Sequence, residues 1–207
     1  MSDKNLPLIG KLMQTTFALR RKEVISDEPP VGEILERCPA LKMESQICAE
    51  FHGISNTNLK NHFYAELDQH VPRLLSLFRR KAVRTGKVAE DLSQIFRVYD
   101  LQVVQSDEPD IDGIPVGLLL ISANSTDATF FCPERIAVVL EGNIVIEFPT
   151  FADAFVVLFA LIYALHLSYP KALANTFDFT QKVLMGLEDG KLKPMVLSLK
   201  NDLLAVE

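Results

Sequence analysis

Apolar residues recur every three or four positions through the first half of the chain, which is the spacing of one face of a helix. Residues 6–22 show it first and end in a basic turn, which suits the negative end of a helix dipole. Two shorter runs, in residues 31–39 and 43–53, predict two further helices. The apolar face predicted for residues 6–22 consists of Leu8, Leu12, Thr15 and Leu19.

Residues 56–82 carry the longest helical pattern. Pro72 lies inside it and predicts either a kink or the start of a second helix, because proline removes one backbone hydrogen bond but suits a first helical turn. Gly86 is expected to end the region. The apolar positions of the pattern are Leu59, Phe63, Leu67, Val71, Leu74 and Phe78.

The spacing of apolar residues changes after residues 106–113. This acidic, turn-rich segment is the best candidate for a boundary within the chain. Three short apolar runs follow and predict strands at 116–121, 136–140 and 144–148. Glu141-Gly142-Asn143 separates the last two runs and is typical of a hairpin in which glycine or asparagine takes a positive φ. We expect one small antiparallel sheet.

The segment from Ala154 to Tyr169 has no charged residue and is followed by Pro170. It is shorter than the roughly 20 residues that a membrane-spanning helix needs. A helix that is apolar on every side is otherwise a core helix, so we expect this one to pack across the predicted sheet. His166 lies within it, with Tyr163 and Tyr169 three positions away on either side, which predicts a buried histidine bound to a hydroxyl or a carbonyl, with a catalytic histidine as the alternative.

Two more helices are predicted after this segment. Residues 171–187 have apolar helical spacing with Gly190 just past the end, and Pro194 begins a last helix. The predicted fold class is α+β and predominantly helical, with N-terminal helices, a small three-stranded antiparallel sheet, and C-terminal helices packed on it. The predicted division is a helical region, 1–105, and a region of sheet plus three helices, 106–207, with one continuous domain as the alternative. The last helix is expected to carry Met195, Leu199 and Leu203 on one side.

Composition narrows the class of protein. The chain has 207 residues, of which 48% are hydrophobic and 23% charged, so a large core is available without disulfides. The net charge of −6 argues against a basic field over the whole surface. Cys38, Cys48 and Cys132 are odd in number and lack CxxC spacing, which predicts reduced thiols in an intracellular compartment, no disulfide framework and no zinc site.

Two groups of residues invite a metal-site interpretation. His62, Glu66 and His70 stand four apart on one predicted helix, but a solvated polar stripe is favoured because no further ligand completes the set. The second group is acidic and lacks the twelve-residue loop of a calcium site, so a solvated loop is expected. Its members are Asp107, Glu108, Asp110 and Asp112.

The densest basic region is the candidate interaction surface. On a continuous helix, most of its residues share one face that could contact phosphate, an acidic partner or a lipid headgroup. A solvated face is nevertheless the favoured interpretation, because no aromatic residue interleaves with these residues and the chain is acidic overall. The residues are Arg73, Arg79, Arg80, Lys81, Arg84 and Lys87. A smaller cluster, Arg20-Arg21-Lys22, is predicted to be a solvated face.

Four pieces of the chain resemble a large vertebrate family that is expanded in fish and labelled sterile alpha motif domain-containing protein 3-like. They are TFALRRKEV (16–24), FYAELDQHVPRLLSLFRRK (63–81), PERIAVVLEGNIVIE (133–147) and FADAFVVLFALIYALHLSYPKALANTFDFTQKVL (151–184). The resemblance runs from Thr16 to Leu204, the region after the sterile alpha motif. It implies an intracellular domain and supplies no catalytic or cofactor-binding residue. Residues 88–115 look shorter than in relatives, so either a short member or a truncated form is expected.

The standard catalytic signatures GxGxxG, GxxxxGK[ST], GxSxG and HExxH are absent from the sequence. We therefore expect a non-enzymatic interaction domain with a protein partner, no cofactor and no membrane span, in the cytoplasm or, alternatively, the nucleus. The second hypothesis is a nucleic-acid-associated protein that uses the basic face near Arg80. The third is an enzyme without a recognised motif, for which His166 with Tyr163 is the buried candidate.

Overall fold

The structure is a computed structural model that describes residues 5–85, 111, 114–121, 134–188 and 190–205, without the side chains of residues 79 and 81–85. The predicted fold class, α+β and predominantly helical, is confirmed. The helices are α1 (Leu6–Ser26), α2 (Val31–Arg37), α3 (Glu44–Ser55), α4 (Leu59–Thr85), α5 (Phe151–Ala164), α6 (Ala174–Phe179) and α7 (Pro194–Leu204). The strands are β1 (Val116–Ile121), β2 (Arg135–Leu140) and β3 (Asn143–Phe148).

The chain divides into two compact units, and each unit is built from two separate stretches of sequence. The first unit comprises residues 1–59 and 103–168, and the second comprises residues 60–102 and 169–207. The predicted division between residues 105 and 106 falls outside the described residues and stays a prediction.

In the first unit the three strands form an antiparallel sheet in the order β1-β2-β3. The β2–β3 loop has two residues, Glu141 and Gly142, with φ of 47° and 74°. Two positive φ values match the right-handed twist of the strands. Asn143 is instead the first residue of β3, and its side-chain amide donates to the Glu141 carbonyl at 2.9 Å. The hairpin prediction is therefore confirmed, and Glu141 rather than Asn143 takes a positive φ together with the glycine.

Helix α5 is the core helix that the sequence predicts. Thr150 caps its first turn by accepting the Asp153 backbone N–H at 3.2 Å, so the helix begins at Phe151, before the predicted start. The run from Val156 to Ile162 is buried on every side of the helix. It packs on the sheet and on α3, where the Phe159 ring lies 5.9 Å from the ring of Phe51. Among the described helices, none is long and apolar enough to cross a membrane.

The end of α5 corrects the prediction for His166. The helix ends at Ala164 because the Leu167 N–H donates to the Ile162 carbonyl at 2.9 Å, while the His166 N–H donates to the Tyr163 carbonyl. This pair of bonds turns the chain through a left-handed residue, His166, with φ of 56°. The side chain of His166 is exposed, so the predicted burial was wrong.

Helix α1 packs on the opposite face from the one predicted. Met13, Arg20 and Val24 are buried, whereas Leu12 is 56% exposed and Leu19 is 69% exposed. Arg20 is buried because its guanidinium binds the Glu50 carboxylate of α3, with Nε to Oε1 at 3.3 Å. The predicted apolar row is therefore present but exposed, and α1 packs through the opposite face.

The solvated face predicted for Arg20-Arg21-Lys22 was also wrong for its two arginines. Arg20 makes the buried ion pair with Glu50. Arg21 donates from Nη1 to the Ala164 carbonyl at 2.8 Å and so binds the last turn of α5. Lys22 alone of the three is exposed. The two arginines hold α1 against α3 and α5.

In the second unit, α4 runs through Pro72 as one helix, so proline does not start a new one. The helix predicted at 171–187 is divided into a 3₁₀ turn, α6 and a π-helical turn, Thr180–Leu184. The glycine after it that takes a positive φ, 60°, is Gly186 and not Gly190. In α7 the buried residues are Val196 and Leu203, whereas Met195 is 69% exposed.

Candidate functional site

The predicted basic surface lies on the C-terminal half of α4, in the second unit. The side chains of Arg73 and Arg80 are described, and both residues are exposed. They are seven positions apart and so share one helical face. The side chains of Arg79, Lys81 and Arg84, and the whole of Lys87, lie outside what the structure describes.

Arg73 joins α4 to the end of α7. Its Nη1 donates to the backbone carbonyl of Leu203, in the last turn of α7. The last carbonyls of a helix have no partner within the helix and carry its negative partial charge. A guanidinium at this position completes a hydrogen bond and offsets that charge. Arg73 therefore has a structural role, and only part of its donor capacity remains for a ligand.

A cleft of about 160 Å³ opens between α4 and the end of α7. Arg80 and Asp202 bring charges of opposite sign to its wall, and Ser76 adds a hydroxyl. Ligand sites for small molecules usually have volumes of roughly 300–1,000 Å³. This cleft is instead the size of a single side chain. Its lining residues are Arg73, Ser76, Leu77, Arg80, Asp202 and Ala205.

Two leucines of α7 are exposed but do not line the cleft. Leu197 is 45% exposed and Leu204 is 59% exposed. They are two helical turns apart and so lie on the same side of α7. The second unit therefore presents charged and apolar groups on the helix that forms one wall of the cleft.

The described part of the chain contains no group of three or more His, Cys, Asp or Glu residues that could hold a metal ion. His70 has its Nδ1 2.8 Å from the Glu66 backbone oxygen, so this nitrogen donates and is not available as a ligand. His62 is half-buried on the same helix. The acidic residues Asp107, Glu108, Asp110 and Asp112 are outside the described residues.

Sequence reasoning missed a charged cluster around the π-helical turn. Asp178 is buried, and its Oδ2 lies 3.0 Å from Nζ of Lys193. Lys182 lies 4.0 Å from the same carboxylate and donates to the Lys191 carbonyl at 3.4 Å. The cluster ties the loop before α7 to α6. No sequence signal predicts it, because the spacing between Asp178 and Lys193 has meaning only once the loop has folded back.

The comparisons with known proteins give one match. Residues 1–43 match the family described as sterile alpha motif domain-containing protein 3, helical domain. The matched segment comprises α1, α2 and the short 3₁₀ turn after them, and it includes Arg20 and Arg21. The match supports the family resemblance over the N-terminal segment, while the resemblance of the later pieces stays a prediction. No curated protein and no solved structure matches the chain.

Proposed function

We propose that this chain, whose N-terminal segment is related to the helical domain of that family, is a non-enzymatic protein-interaction domain. The contact surface is the cleft between α4 and α7, and the partner inserts a carboxylate-bearing side chain beside Arg80 and Ser76. The observation that carries the proposal is the cleft itself, because it is sized for one side chain and its wall presents a guanidinium and a hydroxyl.

Several features favour a protein partner over nucleic acid. Arg73 already binds the Leu203 carbonyl, so part of its donor capacity is used within the second unit. Binding to a phosphate backbone requires many cations that face the same way. A cleft whose wall carries charges of both signs suits a protein surface better.

The hypothesis that the chain is an enzyme has less support. His166, the residue on which that hypothesis rested, is exposed at the end of α5. Tyr163 beside it packs its ring 5.4 Å from the ring of Phe51 and 6.2 Å from that of Phe159. We also propose a cytoplasmic setting, which suits Cys38 and Cys48 because neither is in a disulfide.

Charge reversal tests the site. Arg80→Glu should abolish capture of the proteins that the wild-type chain retains from lysate, because the cleft would then repel a carboxylate. The measurement is quantitative affinity purification with mass spectrometry. Lys171→Glu makes the same charge change at another exposed position of the second unit and should leave capture unchanged. Equal loss in both variants, or no loss in Arg80→Glu, would contradict the proposed site.

The nucleic-acid alternative has its own test. We expect no retardation of short DNA or RNA duplexes in gels at low salt. Retardation that weakens steeply with salt, and that disappears when Arg80 and Arg84 are both changed to Glu, would replace the protein partner with a phosphate backbone.

A further inference from the structure

The outer face of α1 carries an apolar row that no described residue covers. Leu8, Leu12 and Leu19 are 55%, 56% and 69% exposed, and Thr15 fills the remaining position of the row. The row lies opposite the face that holds Met13. Three large apolar side chains in line are the pattern of a helix that packs on another helix.

Thr15 does not interrupt the apolar character of this row. Its hydroxyl donates to the Lys11 carbonyl at 2.8 Å, one turn back. A second helix could therefore cover Thr15 without leaving an unsatisfied polar group, and would meet mainly its methyl group.

Helix α1 cannot rotate about its axis to bury this row. On the other side of α1, Arg20 is held by the buried Glu50 carboxylate and by the Met13 carbonyl, and Arg21 is held by the Ala164 carbonyl. Rotation of α1 would break a buried ion pair, which is strongly unfavourable. A helix that covers the row must therefore approach its outer side.

The spacing of the row identifies that helix. The intervals between successive positions of the row, from Leu8 to Leu19, are four, three and four residues. The order of these intervals is the same from either end of the row. A two-fold axis that relates two antiparallel copies of α1 therefore places Leu8 beside Leu19 of the second copy, and Leu12 beside Thr15 of the second copy.

Charge also favours the antiparallel arrangement. The next position of the row, three residues after Leu19, is the exposed Lys22. A parallel pair would place the two Lys22 side chains together. The antiparallel pair places each Lys22 beside the neutral Asn5 at the other end of the second copy.

We propose that the outer row of α1 is a self-association surface, and that its occupant is α1 of a second copy of this chain in antiparallel orientation. The contact is one helix about 30 Å long on each side. Three leucines per copy fall short of the roughly 1,200 Å² that a stable interface buries. The dimer is therefore weak and forms in a concentration-dependent way.

Sedimentation equilibrium of the full chain tests this surface. The wild-type mass should rise from monomer toward dimer with protein concentration, and Leu12→Glu should remain monomeric over the same range. Leu197→Glu makes the same change at an exposed leucine of α7 and should associate like the wild type. A monomeric wild type, or equal association of the wild type and Leu12→Glu, would overturn the proposal.

A double variant tests the orientation. In Leu12→Glu/Thr15→Lys, an antiparallel pair sets each new glutamate beside a new lysine of the second copy, so association should return. A parallel pair would set glutamate beside glutamate. Association that is lost in Leu12→Glu and does not return in the double variant would overturn the antiparallel arrangement.

Discussion

Arg20 is a charged residue in a position that an apolar side chain would ordinarily take. It is 6% exposed, and its partner Glu50 is 7% exposed. The guanidinium reaches two carboxylate oxygens, the Thr16 hydroxyl at 2.6 Å and the Met13 carbonyl at 3.0 Å. Most of its donors therefore have partners, which is the condition under which a buried charge is tolerated.

Removing one partner of this pair should be costly. We expect Glu50→Ala to lower the free energy of unfolding by about 3–5 kcal/mol, because Arg20 would remain buried without a counter-charge. Urea unfolding followed by circular dichroism measures the change.

Two further variants control for the loss of charge alone. Arg37→Ala removes an exposed arginine that pairs with Glu23 and should change the unfolding free energy little. Replacing both buried partners, as Arg20→Met/Glu50→Leu, should recover most of the loss. A Glu50→Ala variant no less stable than Arg37→Ala would show that the pair is not buried in solution.

At the scale of the element, two glycines should respond to alanine in opposite directions. Gly10 lies in α1 with open space for a Cβ, whereas Gly186 follows the π-helical turn with φ of 60°. Gly10→Ala should raise the free energy of unfolding by about 1 kcal/mol, because alanine has a higher helix propensity than glycine. Gly186→Ala should lower the free energy of unfolding by about 1 kcal/mol, because a residue with a Cβ is strained in the left-handed region.

The two variants serve as controls for each other, since they make the same chemical change. Thermal or urea unfolding should separate them by roughly 2 kcal/mol. If both shifted stability in the same direction, the left-handed conformation of Gly186 would be in doubt.

Periodicity and turn residues predicted the elements well, because that information is local. The ends of all three strands agree with the pattern to within one residue, and Gly142 marked the hairpin. Burial was predicted less well, because it depends on distant partners. Leu19 is exposed since Arg20 faces inward to meet Glu50, thirty positions later.

Only part of the candidate site could be predicted from the sequence. Its basic residues could be recognised from their density on one helix, and Arg80 is exposed as expected. The contact of Arg73 with the Leu203 carbonyl could not be predicted from the sequence, because it depends on how α4 and α7 pack. Side-chain spacing within α4 contains no information about a carbonyl 130 positions away.

At the scale of the whole molecule, each compact unit combines an early and a late stretch of the chain. Fragments 1–105 and 106–207 should therefore not fold alone, because the first lacks the sheet and α5, and the second lacks α1 to α4. We expect each fragment to melt without a cooperative transition in near-ultraviolet circular dichroism.

Mixing the two fragments is the matching control. If the interleaved arrangement holds, co-refolding should restore a cooperative transition and co-elution on a gel-filtration column. A cooperative melt of fragment 1–105 alone would show instead that the helical region is an independent domain.

The contact between Arg21 and the Ala164 carbonyl has a consequence for protein synthesis. The two residues are 143 positions apart, and a ribosome adds about 5–20 residues per second, so α1 is made roughly 7–30 s before the end of α5 exists. During that time Arg21 emerges without the helix that will hold it, and the exposed leucines lie on the same helix as Arg21. We expect chaperones to bind the nascent chain at this stage, and slower translation between the two segments to prolong that binding.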